Sequence, residues 1–287
     1  MHTPNPPLGL AYLAASVRDA GYTISVIDAA GSALDQIRTY PKRSDYMIQG
    51  LSPSEIVERI PADTEIIGIG CMFSSQWPLT RIIVNRIRES FPKALMVAGG
   101  EHATAVPEYT LRNSPFDVLV LGEGEESFIQ LIECHRDKAR WDTINGLAFL
   151  DEDENFVSNG LSLRNRDIDE LPLPAWDLFP MEAYIEGHQS NGINLGRSMP
   201  LIATRGCPYQ CTFCSNPNMW TTRYIPRDPI KVVDEIQTWM TQYNTVNFDF
   251  QDLTAIVKRQ WVIEFCNELI RRDLNITWQM PIGTRSE

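Results

Sequence analysis

The segment "RGCPYQCTFCSNPNMW", residues 205–220, places Cys207, Cys211 and Cys214 on one short stretch. A structural zinc site usually has four protein ligands, often as two CxxC pairs, whereas this CxxxCxxC spacing supplies only three. An iron–sulfur cube contains four irons, so three thiolates leave one iron that a small molecule can chelate. The spacing therefore favours an iron–sulfur cube with one open iron.

Two simpler explanations of these three thiols stay open at this stage. They could form a zinc site that Cys266 or His188 completes, or their spacing could be a coincidence without function. The remaining cysteines, which include Cys71 and Cys134, are isolated in the sequence. This is not a disulfide framework, and it suits a reducing compartment in which the isolated cysteines are small buried hydrophobic residues.

The residues on both sides of the cysteines alternate between strand and helix patterns. The strand pattern "PLIATRG" precedes them, and a helix, a strand, a helix and a strand follow, at 229–243, 245–250, 257–272 and 275–281. Reactive groups on parallel strand–helix barrels collect at the carboxyl ends of the strands, where the first strand would deliver Cys207. Three strands do not close a barrel, so we expect a partial, truncated (β/α) barrel in a fragment or a gene model clipped at both ends.

The N-terminal half also alternates helices with short apolar strands. Strand patterns occur in "TISVID", "EIIGIG", "ALMVAGG" and "DVLVLG", and helical patterns lie at 8–21, 78–91 and 125–137. Short strands that are apolar throughout indicate a parallel sheet covered on both faces. The sequence therefore predicts an α/β protein whose N-terminal part is a doubly wound, Rossmann-like parallel sheet.

The segment between the two halves has its own character. Residues 144–160 predict a small hairpin around an acidic turn, and "RDIDELPLPAWDLFP" is rich in proline and acidic residues. We expect this linker to pack through its apolar residues, which are Leu171, Leu173, Trp176 and Phe179. The predicted division is a Rossmann-like domain at 1–142, a hairpin and linker at 143–196, and the barrel portion at 197–287.

The cysteine motif at the end of the first strand resembles the radical S-adenosylmethionine (SAM) enzymes, and the match includes the aromatic Phe213 before the third cysteine. The resemblance implies that Cys207, Cys211 and Cys214 ligate a [4Fe–4S] cluster. It also implies that the open iron binds SAM, that an electron from the cluster splits SAM to a 5'-deoxyadenosyl radical, and that Phe213 lies near the adenine.

Two further segments resemble SAM-binding motifs of the same enzymes. "NFDFQDLTA" is similar to a second-strand motif, which implies that Asp252 contacts the SAM amino group; a strand-to-helix turn capped by Asp252 or Thr254 is the open alternative. "WQMPIGTRSE" is similar to the third strand of members with a cobalamin domain, which implies that Arg285 and Ser286 face the cofactor. Arg285 could instead be a solvated charge.

The N-terminal half resembles the cobalamin-binding domain that precedes the barrel in one branch of this superfamily. The similarity lies in "PPLGLAYLAASVRDAGYTISVIDA", "GGEHAT" and "DVLVLGEGEESF". Glycines after parallel strands let a ligand approach the backbone, although each alone is more often turn chemistry. The cobalamin-facing candidates are Gly68, Gly70, Cys71, Ser74, Gly99, Gly100, His102, Gly122 and Gly124. The DxHxxG motif is absent, so cobalt is expected to lack that histidine ligand.

The composition of the chain limits the kinds of partner and the location that we expect for it. The formal net charge of the 287-residue chain is -12, which disfavours a nucleic-acid partner. No apolar run reaches the roughly 20 residues that cross a bilayer, and no signal-peptide pattern is present, so the default location is the cytoplasm. The expected partners are a small-molecule substrate and a reductant such as flavodoxin or ferredoxin.

Taken with the resemblance, the leading hypothesis is a cobalamin-dependent radical SAM enzyme that cleaves SAM reductively. Methylation of an unreactive carbon is the first expectation, and cyclisation, rearrangement and thiolation stay open. Two alternatives come from other classes of protein. One is a non-catalytic cobalamin-binding or sensing protein with an incomplete barrel, and the other is a zinc-stabilised interaction protein.

Overall fold

The computed structural model describes residues 4–40 and 43–284 and begins with a helix, as the sequence predicts. The N-terminal elements are α1 (Leu8–Asp19), β1 (Ile37–Tyr40), β2 (Arg43–Gln49) and α2 (Pro53–Glu58). Strands β1 and β2 form an antiparallel hairpin that the sequence does not predict. The predicted strand at 23–28 joins no sheet within the described ranges, although Ile24 and Val26 still pack against the core.

A five-stranded sheet forms the middle of the chain, in the order β3-β4-β5-β6-β7. Its strands are β3 (Ile66–Gly70), β4 (Leu95–Gly99), β5 (Val118–Val120), β6 (Leu147–Leu150) and β7 (Phe156–Ser158), with helices α3 (Trp77–Ser90), α4 (Glu101–Ala105), α5 (Pro107–Arg112) and α6 (Glu125–Glu133). Strands β3, β4 and β5 are parallel, as predicted, and the predicted hairpin β6–β7 adds two antiparallel strands. The sheet is therefore mixed.

Alternation along the central strands explains why they are apolar throughout. Met96 and Ala98 point into one core and Val97 into another, while Leu119 and Val120 divide in the same way. Successive side chains of a strand face opposite sides, so a sheet covered on both faces needs an apolar residue at every position. The two faces are covered by different helices.

The C-terminal part contains a second, three-stranded parallel sheet in the order β12-β11-β8. Its elements are α7 (Met181–Glu186), β8 (Ser198–Leu201), β9 (Thr204–Arg205), α8 (Asn216–Met219), β10 (Ile225–Pro226), α9 (Pro229–Tyr243), β11 (Asn247–Phe250), α10 (Arg259–Arg271) and β12 (Thr277–Gln279). The predicted strand at 200–206 is divided into β8 and β9, and β9 pairs antiparallel with β10. The predicted partial barrel is confirmed, and the described residues form no closed barrel.

Helix α1 packs into both halves of the molecule. Ala11 and Tyr12 lie in the same buried core as Met199 and Phe248 of the C-terminal sheet. Val17, nearer the end of the helix, packs in the core that holds Phe128 of α6. The division at 142 and 196 stays a prediction, because α1 contributes to cores on both sides of it.

The linker is packed rather than loose. Trp176 is fully buried in the core that α1 shares with the C-terminal sheet, and its ring meets Phe179 edge-on at 5.7 Å between centroids. The backbone N–H of Ala175 donates to the carbonyl oxygen of Ala11 at 3.0 Å. In the part of the chain that the structure covers, no helix is both long and apolar enough to span a membrane.

Replacing the buried linker tryptophan tests this packing. Trp176→Ala should lower the free energy of unfolding by about 3–5 kcal/mol, because it removes a large side chain from a close-packed core. The matched control is Leu163→Ala, since Leu163 is 65% exposed in the same linker; it should change stability by less than about 0.5 kcal/mol. Urea unfolding measures both, and equal effects would mean that the linker is a tether.

Candidate functional site

The three clustered cysteines lie on a loop that leaves β9 through a left-handed glycine. Gly206 has φ 82°, and a Cβ there would collide with the carbonyl oxygen of Arg223. Cys207 is half-buried, whereas Cys211 and Cys214 are exposed, and the N–H of Cys214 donates to the carbonyl oxygen of Cys211 at 3.0 Å. The side chain of Phe213 is 92% exposed, so a ligand approaching the loop would meet it.

The side chain of Asn216 joins the two ends of this loop through hydrogen bonds. Its side chain is buried, and its amide nitrogen donates to the carbonyl oxygens of Cys207 at 3.3 Å and Thr221 at 3.2 Å. One amide thus joins the start of the loop to the residues that follow α8. The cysteines project from a closed loop rather than from a free strand end.

As a donor set, the loop suits an iron–sulfur cluster. All three thiols are free, and they share one surface loop. Among residues 4–40 and 43–284, no group of three or more His, Cys, Asp or Glu side chains is arranged to hold a metal ion. Within those ranges, neither the three thiols by themselves nor the thiols together with Cys266 and His188 form a preformed metal site.

The carboxyl ends of β3 and β4 bring several of the predicted cobalamin-facing residues together. The N–H of Cys71 donates to the carbonyl oxygen of Gly99 at 2.7 Å, and the N–H of His102 donates to that of Cys71 at 3.0 Å. Gly100 has φ 102°, and a Cβ there would lie 2.8 Å from the Cys71 carbonyl oxygen. A glycine is needed at this close approach.

His102 carries a polar atom suited to a ligand. Its ring is buried against Trp77, with centroids 4.6 Å apart, and its Nδ1 lies 2.8 Å from the hydroxyl of Ser74. Its Nε2 is buried and has no hydrogen-bond partner in the described structure. Burial lowers the pKa of His102, which favours the neutral ring. An orphaned buried nitrogen at this edge fits a polar ligand such as a corrinoid.

The other predicted glycines lie in packing contacts. A Cβ on Gly68 would meet Phe128 at 3.4 Å, one on Gly70 would meet Leu10 at 3.3 Å, and one on Gly124 would meet Leu13 at 3.7 Å. Gly122 is buried, and its N–H donates to Thr104 Oγ1 at 3.0 Å. These positions face helices or the interior, so their roles in ligand binding stay predictions.

Asp252 is buried beneath the β8–β9 connection. Its carboxylate accepts the N–H of Ala203 at 3.1 Å and the hydroxyl of Thr204 at 2.5 Å. Burial raises its pKa to about 6, although these hydrogen bonds oppose the rise. Through these hydrogen bonds Asp252 holds the backbone segment that leads to the cysteines. Arg285, the other predicted SAM contact, lies outside the described residues together with Ser286.

The cysteine loop and the edge of the five-stranded sheet are in direct contact. The hydroxyl of Ser215 donates to Glu101 at the start of α4. Ser215 follows Cys214 in the sequence, and Glu101 follows Gly100. The two predicted cofactor sites are therefore neighbours.

Sequence reasoning missed a buried ionic network at the same junction. Arg205 pairs with Glu125 at 2.6 Å and lies 3.9 Å from Glu123, which pairs with Arg164 at 2.7 Å. The four side chains are between 4% and 13% exposed. Although burial opposes ionisation of Glu125, the neighbouring Arg205 lowers its pKa. The sequence signal is limited to three glutamates in "GEGEES" and an arginine beside the cysteine motif.

The chain is similar to several known proteins. Residues 2–132 match the B12 binding domain family. The chain is 32% identical over 285 residues to the anaerobic magnesium-protoporphyrin IX monomethyl ester cyclase of Cereibacter sphaeroides, covering 98% of this chain and 42% of the cyclase. It is 26% identical over 303 residues to the cytidylyl-2-hydroxyethylphosphonate methyltransferase of Streptomyces wedmorensis, covering 97% of this chain and 56% of that enzyme.

Its fold is shared with the cobalamin-dependent S-adenosylmethionine radical enzyme OxsB, solved with aqua-cobalamin and S-adenosylmethionine bound, at a TM-score of 0.76. That match has 20% identity and covers 97% of this chain and 36% of the other. The chain carries the B12-binding domain in its N-terminal part, and its relatives are cobalamin-dependent radical SAM methyltransferases and cyclases. It spans about half the length of the curated radical SAM relatives that it matches.

Gly206 offers a test of how the cysteine loop is formed. Gly206→Ala should cost at least about 1 kcal/mol more than Gly21→Ala, because both residues have positive φ but only Gly206 lies against a backbone carbonyl. Urea unfolding measures the two losses, and hydrogen exchange of residues 206–220 locates the first. Equal losses would show that the contact with Arg223 does not constrain the loop.

Asp252 makes stability depend on pH. An unfolded aspartate ionises near pH 4 and the buried one near 6. The folded state therefore binds more protons between these values, and the stability that Asp252 contributes below pH 4 is lost as the pH rises through 6. The free energy of unfolding of the parent, minus that of Asp252→Asn, should therefore fall by ~3 kcal/mol between pH 4 and 7. Asp153→Asn, in the exposed acidic turn, should follow the parent; a flat Asp252 difference would contradict the assignment.

Proposed function

We propose that this chain carries the cofactor-binding part of a cobalamin-dependent radical SAM enzyme. The observation that carries the proposal is the contact between Ser215 and Glu101, because it sets the three-cysteine loop against the carboxyl edge of the B12-type sheet. The B12-binding domain match and the similarity to cobalamin-dependent radical SAM enzymes support both cofactors. The whole protein's activity and substrate belong to the proposal, since the matched relatives are about twice as long.

Three thiolates in this loop would hold a [4Fe–4S] cluster. The exposed positions of Cys211 and Cys214 leave their sulfur atoms accessible, and Asn216 holds the backbone of Cys207 in place. When bound, the cluster would supply one electron, delivered by a flavodoxin- or ferredoxin-like reductant, for reductive cleavage of SAM. Phe213, which is almost fully exposed, would lie beside the adenine.

A corrinoid would lie at the carboxyl edge of β3 and β4. The close-approach glycine Gly100, the neutral ring of His102 and the hydroxyl of Ser74 would line that position. When bound, methylcobalamin would supply a methyl group. The protein's contribution is to place the two cofactors together and to keep water from the space between them.

Methylation at an unreactive carbon is the reaction that we propose first, and cyclisation is the second candidate. The methyltransferase of Streptomyces wedmorensis supports the first, and the cyclase of Cereibacter sphaeroides, with the higher identity, supports the second. One fold serves both reactions, so the fold does not separate them. Identification of the substrate would decide between them.

The cysteine assignment has a direct test. Cys211→Ala should reduce iron and sulfide uptake on anaerobic reconstitution to a small fraction of the parent value and abolish formation of 5'-deoxyadenosine from SAM, because two thiolates hold the cube poorly. Cys266→Ala is the matched control, since this half-buried thiol lies on α10, and it should retain both. Retained cleavage in the triple substitution of Cys207, Cys211 and Cys214 would refute the assignment.

The same preparation distinguishes the alternatives. Iron, sulfide and SAM cleavage support the enzyme. Colour from cobalamin without iron supports a cobalamin-binding or sensing protein. Colourless protein with one zinc per chain supports the zinc-stabilised interaction protein.

A further inference from the structure

One turn of the B12-binding region holds both ends of the cysteine loop. Arg205 is the last residue of β9, two positions before Cys207, and its guanidinium pairs with Glu125 at 2.6 Å. At the far end of the loop, Arg164 donates to Glu123 at 2.7 Å and to the carbonyl oxygen of Trp220. Glu123 and Glu125 lie in the same turn, between β5 and the start of α6.

These ion pairs are buried away from water, and their geometry is constrained. The side chains of Arg205 and Glu123 are 6% and 4% exposed. The Arg205 guanidinium carbon lies 5.4 Å from the ring centroid of Tyr12, and that of Arg164 lies 5.4 Å from the Trp220 ring. A planar guanidinium fixed between a carboxylate and an aromatic ring has few alternative positions. Removing one carboxylate would leave a buried arginine without its partner.

The same turn is joined to the predicted cobalamin face. Thr104 of α4 donates its hydroxyl to the carbonyl oxygen of Gly100 at 3.0 Å and accepts the N–H of Gly122 at 3.0 Å. Gly122 directly precedes Glu123. A continuous series of short contacts therefore runs from the glycine turn at the carboxyl edge to the arginines that hold the loop.

We propose that Glu125 and Glu123 couple corrinoid binding at the carboxyl edge to the conformation of the cysteine loop. Arg205 and Arg164 act as positioning residues at the two ends of that loop. This inference rests on the proposed function, because it requires a corrinoid at that edge. Coupling between two sites is reciprocal, so the filled loop would also strengthen corrinoid binding by the same factor.

The test compares Glu125→Gln with Glu126→Gln. Glu126 lies in the same helical turn and is exposed, and its carboxylate accepts a hydrogen bond from Gln130. Its substitution therefore removes the same charge without disturbing Arg205 or Arg164. The probe is hydroxocobalamin, with binding measured by absorbance after desalting. The readout is the ratio of exchange rates of the amides of residues 206–220 with and without the probe.

In the parent and in Glu126→Gln, hydroxocobalamin should slow this exchange by about tenfold, within the usual range of coupling between sites. In Glu125→Gln the probe should still bind, but the slowing should fall to about twofold or less. If Glu125 only stabilised the loop, Glu125→Gln would raise the exchange rates by the same factor with and without the probe. The ratio would then equal that of the parent. The midpoint potential of the reconstituted cluster should respond to the probe in the parent and control, and not in Glu125→Gln.

Arg205→Lys keeps the charge but loses the forked geometry of the guanidinium. It replaces Glu125→Gln as the test if circular dichroism shows that Glu125→Gln is unfolded. The ratio of exchange rates should also fall in Arg205→Lys. An unchanged ratio in the folded variant, or a parent that binds the probe without any response, overturns the coupling. A parent that binds no hydroxocobalamin overturns both the coupling and the corrinoid part of the proposed function. A parent that responds to the probe but takes up no iron supports the coupling and overturns only the cluster.

Discussion

Two carboxylates in one turn, Glu123 and Glu125, connect the halves of this molecule through a pair of buried arginines. The turn comes from the N-terminal sheet, Arg164 from the linker and Arg205 from the first C-terminal strand pair. Burying four charges costs desolvation energy, which close pairing and the surrounding aromatic rings offset. Such a network is weak as a source of net stability, but displacing the cysteine loop would leave buried charges without their partners.

The rest of the site depends on this placement. Gly206 can leave the strand only in a left-handed conformation against the Arg223 backbone, and Asp252 holds the residues just before it. Each constraint acts on backbone near the cysteines and leaves the exposed thiols free. The loop is therefore fixed at its stem and open at its tip, which is where a cluster and a small molecule would have to meet.

Much of this fold follows from local pattern. The strands β3, β4 and β5 were predictable because both of their faces are buried, and α9 has the predicted bounds because Asp228 caps its start and Asn244 ends it in the left-handed region. The segment at 23–28 has strand-like alternation but no paired neighbour, since pairing is a tertiary property. The β1–β2 hairpin is mostly exposed and carries little periodic signal.

In the candidate site, too, the local features were predictable from the sequence and the long-range contacts were not. The cysteine spacing and the glycine turn at Gly100 are local features that sequence reasoning could find. The ion pairs are not local, because Glu125 and Arg205 are 80 residues apart and Glu123 and Arg164 are 41 apart. Glycines such as Gly68 and Gly124 follow the expected pattern but face helices, because a glycine near a strand end can serve either a ligand or a packed neighbour.

The position of α1 has a consequence for synthesis on the ribosome. This helix is synthesised well before Trp176 and Phe248, which belong to the core that it enters. Until then the part of its apolar face that carries Ala11 and Tyr12 has no permanent partner, so the nascent chain must keep those residues protected or hold them in a temporary contact. Docking of α1 into this core is therefore expected only after Phe248 has left the ribosome.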